Sequence, residues 1–249
     1  GFITPVIRKE WNLTASQASS LAFCVFLGQF CGNLYTGFTA DQIGRKDPLL
    51  NGCLGVPLYK ILGGKIKPIQ TDLTIGIDNP ESMEQTAREF IADGVKIIKV
   101  KLGKNGEEDV DRIRRIRGAV GPHIGLRVDA NQGWGYDEAI KTLNQIAPYD
   151  IQFCEQPIPK DMDELLPALR QASKVKIMAD ESVFDWRDAE RLIKADAVDY
   201  INIKLAKSAG ILGGLAIAET AAKYGIPCML GGMVESRLAL TAKVHAAMS

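Results

Sequence analysis

The chain has 249 residues, 46% apolar and 24% charged, which are ordinary globular values and exclude collagen-like, disordered and disulfide-scaffold classes. Thirty Lys and Arg balance thirty Asp and Glu, so the basic excess that releases counterions from phosphates is missing and no nucleic-acid partner is expected. Five cysteines without a C-x-x-C spacing argue for a reducing, cytoplasmic compartment for the folded part, and with only two histidines any metal must be held by carboxylates.

Residues 1–46 differ from the rest. No charged residue occurs between Trp11 and Ala40, and the middle reads LAFCVFLGQFCGNLYTGF. At about 1.5 Å per residue such a helix could cross a bilayer. An apolar helical segment is therefore expected, with membrane association through residues 15–38 open beside a buried helix. Arg8 and Lys9 on one side and Arg45 and Lys46 on the other give no orientation. Gly37, Asp41, Gly44, Arg45 and Lys46 resemble the loop after the second membrane helix of major facilitator transporters, and ITPVIRKEWNLTASQ resembles the first external loop of that family. Two helices cannot form a translocation path, so transport is not expected.

Residues 47–64 read as a connecting segment, and a strand–helix alternation begins at residue 65. IQTDLTIGI (69–77) alternates as a strand, and Asp78-Asn79-Pro80 turns into a helix over 81–92. A strand over 95–102 precedes a helix over 107–117. Then follow GLRVDA with a helix from Asp137, IQFCEQP with a helix from Asp161, and KIMADES with a helix from Asp185. DYINIKL precedes a helix from Ser208, and IPCMLGG a helix from Glu235. Such alternation indicates βαβ units and a parallel sheet. Lys101 to Asp129 is 28 residues, Asp129 to Glu155 26, Glu155 to Asp180 25 and Asp180 to Lys204 24. Near-constant spacing predicts a TIM-type (β/α)8 barrel over 65–249 rather than a doubly wound sheet. At about 25 residues per unit this stretch makes seven units, one fewer than the eight that close the ring.

Each apolar strand ends in a charge: Lys99 and Lys101, Asp129, Glu155, Asp180 and Lys204. A buried charge is costly unless paired or metal-bound, and barrel chemistry sits at C-terminal strand ends. Lys99 and Lys101 are two apart and so share a face, where mutual repulsion is expected to depress a pKa toward that of a general base. Asp129, Glu155 and Asp180, from three neighbouring strands, would converge as hard oxygen ligands suited to Mg²⁺. Lys204 would arrive on the far side of the ring from Lys101, leaving a substrate α-carbon between two lysines and an enediolate stabilised by the metal. Cys154 and Cys228 are expected to be core thiols, Trp134 to pack at the rim, and Glu235 to start a helix.

K-V-K, V-D-A-N, C-E-Q-P, A-D-E-S and N-I-K-L-A-K, in this order, resemble the muconate-lactonizing subgroup of the enolase superfamily, where a lysine base beside Mg²⁺ is an established arrangement. TDLTIGID, VDANQGW, NIKLAKSAGI and MVESRLALTA most resemble the dipeptide (L-Ala-D/L-Glu) epimerases, over about 53–249. The resemblance implies Lys101 and Lys204 as acid/base lysines, Lys99 as an electrostatic aid, and Asp129, Glu155 and Asp180 as Mg²⁺ ligands. It implies 1,1-proton transfer at the α-carbon of a dipeptide such as L-Ala-L-Glu. N-acylamino acid racemisation, o-succinylbenzoate synthesis and muconate cycloisomerisation stay open on the same strand ends, as do a non-catalytic membrane-associated fusion and a homo-oligomer. The family's capping domain and its D-x-D on an eighth strand have no counterpart here, so impaired activity is expected, and a transporter-like segment joined to a barrel suggests a chimera.

Overall fold

The computed structural model describes residues 56–249. The transporter-like reading of 1–46, membrane association through 15–38 and the first half of the connecting segment, 47–55, lie outside the described residues. Among the described residues no helix is long and apolar enough to cross a membrane.

In chain order the elements are α1 (Leu58–Ile61), β1 (Leu73–Ile75), α2 (Pro80–Ala92), β2 (Ile97–Lys101), α3 (Gly106–Val120), β3 (Gly125–Asp129) and α4 (Tyr136–Ile146). They continue as β4 (Ile151–Glu155), α5 (Leu166–Ala172), β5 (Ile177–Ala179), α6 (Trp186–Lys194), β6 (Tyr200–Ile203), α7 (Ile211–Lys223), β7 (Cys228–Leu230) and α8 (Arg237–Ala247). The described residues form two compact units, one of residues 70–203 with 216–231 and the other of residues 56–69, 204–215 and 232–249.

The first unit holds one seven-stranded sheet in the order β1 to β7, every neighbouring pair parallel. Sequential order with helical returns is the βαβ pattern expected from the alternation. On β2 the period of two sends Ile98 and Val100 into the apolar core and Lys99 and Lys101 to the opposite face. Leu126 and Val128 on β3 join the same core, with Ile113 and Ile116 of α3 and Leu143 and Ile146 of α4. The sheet curls: Arg127 on β3 reaches Met229 on β7, its Nη1 lying 3.8 Å from the sulfur.

Local chemistry sets the helix starts. The Asn79 side chain accepts from Ser82 N, with Pro80 in the first turn, and Asn105 accepts from Glu107 N and Glu108 N. Asp185 and Asp188 form a reciprocal capping box on α6. α3 ends at Gly121, whose φ of 74° suits glycine.

Three of the boundaries that differ from expectation have a local cause. The first strand shrinks to β1 because its ladder is made with β2 alone. A 3₁₀ turn over Lys160–Leu165 delays α5 to Leu166, with proline at its N-terminal turn. α7 begins at Ile211, not Ser208, because Ala209 and Gly210 have φ of 52° and 89° and cannot be helical.

In the second unit α1 packs on α8. The Tyr59 and His245 rings stack at 5.6 Å between centroids, and Lys65 N donates to Met248 O. Ser236 caps α8, while Glu235, expected to start that helix, pairs with Lys243 at 3.0 Å.

Candidate active site

Strand register lines up the charged ends. Lys101 pairs in register with Asp129, and Asp129 with Glu155, so the three stand in one row across β2, β3 and β4. Lys99, one pleat below, reaches up: its Nζ lies 3.1 Å from Asp129 Oδ2 and 3.1 Å from Glu155 Oε2. Lys101 Nζ lies 2.7 Å from Asp129 Oδ2 and donates to Asn131 Oδ1 at 2.5 Å. Asp180 follows β5, and its backbone N–H donates to Gln156 Oε1. Asp129, Glu155 and Asp180 are all fully buried, as a concerted site at the end of apolar strands requires. Lys204 follows β6 directly and is also buried.

Electrostatics explains how these charges coexist. Burial pushes the Glu155 carboxyl up, Asp129 and Asp180 add to the rise and Lys99 opposes it, leaving the pKa at about 8. Burial works to lower the Lys99 pKa, but Glu155 and Asp129 outweigh it and hold the ammonium above its ordinary value. The depression expected from two neighbouring lysines is therefore not found at Lys99. Two carboxylates within hydrogen-bonding distance dominate over the like charge next to it.

The donor chemistry fits a hard divalent cation. Three buried carboxylates offer only oxygen ligands, and the repulsion that keeps a proton on Glu155 is what a divalent ion would relieve. Among the described residues no three His, Cys, Asp or Glu side chains already stand close enough to clasp an ion. Between Asp129 and Glu155 sits the Lys99 ammonium.

Several neutral or structural groups at the site carry no spacing signal in the sequence. Asn202 donates from Nδ2 to Glu155 Oε1 at 2.7 Å. Gln156 accepts from Asp180 N and donates to Ser182 Oγ, holding the turn after β5. Asp109, fully buried on α3, accepts from Gly103 N at 2.9 Å, Trp134 Nε1 at 3.0 Å and Arg112 Nη1 at 2.8 Å. It thereby ties the loop after β2 to the loop after β3, and Trp134 is a buried strut rather than a rim residue. The two loops touch through backbone. A Cβ on Gly103 would meet Ala130 O at 2.2 Å, and one on Gly133 would meet Gly103 O at 2.1 Å. Cys154 is buried with its thiol pKa raised by desolvation, a packing group as expected. Cys228 is exposed instead, on the outermost strand β7.

A parallel sheet of βαβ units with acidic and basic strand ends defines an enolase-type barrel. The family model described as enolase C-terminal domain-like matches residues 82–249, and the chain belongs to that family. It is similar to the D-Ala-D/L-Ala epimerase of Cytophaga hutchinsonii, 50% identical over 78% of this chain and 53% of the relative. It is also similar to the L-Ala-D/L-Glu epimerase of Clostridium acetobutylicum, 44% identical over 78% of this chain and 54% of the relative. The crystal structure of a Cytophaga hutchinsonii dipeptide epimerase complexed with Mg and D-Ala-L-Val superposes with a TM-score of 0.76 at 49% identity, covering 77% of this chain and 52% of that one. The chain thus spans about half the length of the relatives it matches.

Proposed function

We propose that this chain carries the catalytic barrel of a Mg²⁺-dependent dipeptide epimerase, an isomerase that inverts the α-carbon of a dipeptide such as L-Ala-L-Glu. The observation that carries the reading is the row of Lys101, Asp129 and Glu155 with Lys99 bridging the two carboxylates. Epimerase relatives and a Mg–dipeptide complex support it.

Asp129, Glu155 and Asp180 would hold the ion. When bound, Mg²⁺ supplies the positive charge that stabilises a substrate carboxylate as its α-carbon loses a proton. Lys101 is assigned removal or return of that proton on one face, since its Nζ sits at the open end of β2 with its stem on the sheet's inner side. Strand alternation gives Lys204 the same side of β6 as Asn202, and it is assigned the opposite face of the α-carbon. Lys99 keeps its charge against two carboxylates, so its role is to offset their repulsion and not to exchange protons.

The test is incubation of the full chain with Mg²⁺ in D₂O against L-Ala-L-Glu, other dipeptides and N-acyl amino acids. Epimerisation puts deuterium on the α-carbon of both stereoisomers. Exchange confined to N-acyl amino acids would move the reading to a racemase of the same subgroup, and no exchange with any substrate would overturn it.

A further inference from the structure

The lysine assigned to one face of the substrate is gripped at two points, and the second grip belongs to a residue pair without an assigned role. Lys101 Nζ donates to Asp129 Oδ2 at 2.7 Å and to Asn131 Oδ1 at 2.5 Å. Asn131 Nδ2 in turn donates to Glu181 Oε1 at 3.2 Å, and Asn131 N donates to Asp129 Oδ1 at 2.9 Å.

Hydrogen-bond chemistry fixes the direction of this relay. An ammonium only donates and a carboxylate only accepts, so the amide must turn its oxygen to Lys101 and its nitrogen to Glu181. Flipping it would set donor against donor and acceptor against acceptor. The second oxygen of Glu181, Oε2, is buried without a hydrogen bond among the described residues, so the carboxylate is held here at some desolvation cost. Asn131 and Gln132 have φ of 44° and 66°, consecutive left-handed residues that are not glycine. Such backbone is strained and persists only where its surroundings hold it. Here Gln132 N donates to Gln156 O, and Gln132 Oε1 accepts from Lys160 N.

We propose that Asn131, locked by Glu181, is a positioning residue that aims the Lys101 nitrogen. Two anchored N–H directions on a tetrahedral nitrogen determine the third, which points the reactive direction at the substrate. The inference rests on Lys101 acting on one face of the α-carbon, as proposed above. It adds that accuracy on that face depends on Asn131 and Glu181, while the Lys204 face does not.

Two readouts on the full chain with Mg²⁺ separate this inference from the reading beneath it. In Asn131→Gly, which relieves the left-handed strain and so retains the fold, ¹⁵N relaxation of the lysine ammonium groups should show Lys101 losing order while Lys99 keeps it. Glu181→Ala should loosen Lys101 as well. An unchanged Lys101 in both variants overturns the inference whether or not the chain is active. In D₂O exchange, Asn131→Gly should lower the rate from one stereoisomer by about 10–100-fold, the scale of a misplaced group, at unchanged KM. Exchange from the other stereoisomer should stay near wild type. Equal loss from both stereoisomers, or a lowered Tm with unchanged exchange, would mark Asn131 as merely structural. Wild type without exchange would sink the epimerase reading, leaving the relaxation data to decide the relay.

Discussion

Two charged layers lie on the inner face of the same sheet. The lower one centres on Arg127, whose guanidinium pairs with Asp72 at 2.8 Å, donates from Nε to Gln152 Oε1 at 2.9 Å and covers the Phe153 ring at 5.1 Å. The upper one sets Lys99 and Lys101 among Asp129, Glu155 and Asp180 and leaves the Glu155 pKa at about 8. The lower layer balances one cation against one anion and then satisfies the rest with a neutral amide and a ring. In the upper layer one ammonium, Lys99, is shared between two fully buried carboxylates, and Asp129 is shared between two lysines. A pair that is locally neutral braces a sheet, whereas carboxylates crowded in the interior until one of them titrates at about 8 suit a ligand.

Substitutions can break this contrast. Lys101→Ala should cut α-proton exchange from the stereoisomer it faces by about 10²–10⁴-fold, the usual worth of a general acid or base, while exchange from the other stereoisomer persists. Next, Mg²⁺ at about 100 times its Kd should stabilise the protein by about 2.7 kcal/mol, read as a rise in Tm. Asp129→Asn should abolish that rise and Arg127→Met should keep it. The pH profile of the metal-free protein sharpens the same point. Glu155 has a folded pKa raised to about 8 from 4.5, so its contribution to stability is present below the unfolded value and lost as pH climbs to about 8. Tm should fall across that window, and Glu155→Gln should flatten the fall. Arg127→Met should cost about 2 kcal/mol, less than the ~3–5 of breaking a fully buried pair, without touching exchange. Smallest is Asn79→Ala, which removes the α2 cap and should cost about 1 kcal/mol by denaturant titration.

Much of this was legible because charge at the end of an apolar strand is conspicuous. The spacing from Lys101 to Lys204 located five strand ends, and capping residues such as Asn79 and Asp185 located helix starts. Asn131, Asn202 and Asp109 were not legible as functional groups. An amide has no burial penalty large enough to stand out, and Asp109 reads as one more acidic residue in a helix's first turn until Trp134 and Gly103 are seen to converge on it. The carboxylates that hold the Lys99 ammonium are not legible, because neighbours along one strand are visible in sequence whereas those across the ladder depend on register. Cys228 reads as core for the same reason: nothing local marks β7 as the outermost strand.

The glycine contact between the loops after β2 and β3 limits how this site can be remodelled. With Gly103 at φ 102° and its carbonyl where a Gly133 side chain would stand, neither loop has slack to accept the other's replacement. Grafts that import one of them from a relative will fail at that seam unless its counterpart travels too. For protein engineering the two segments are one cassette, transplanted whole or left alone.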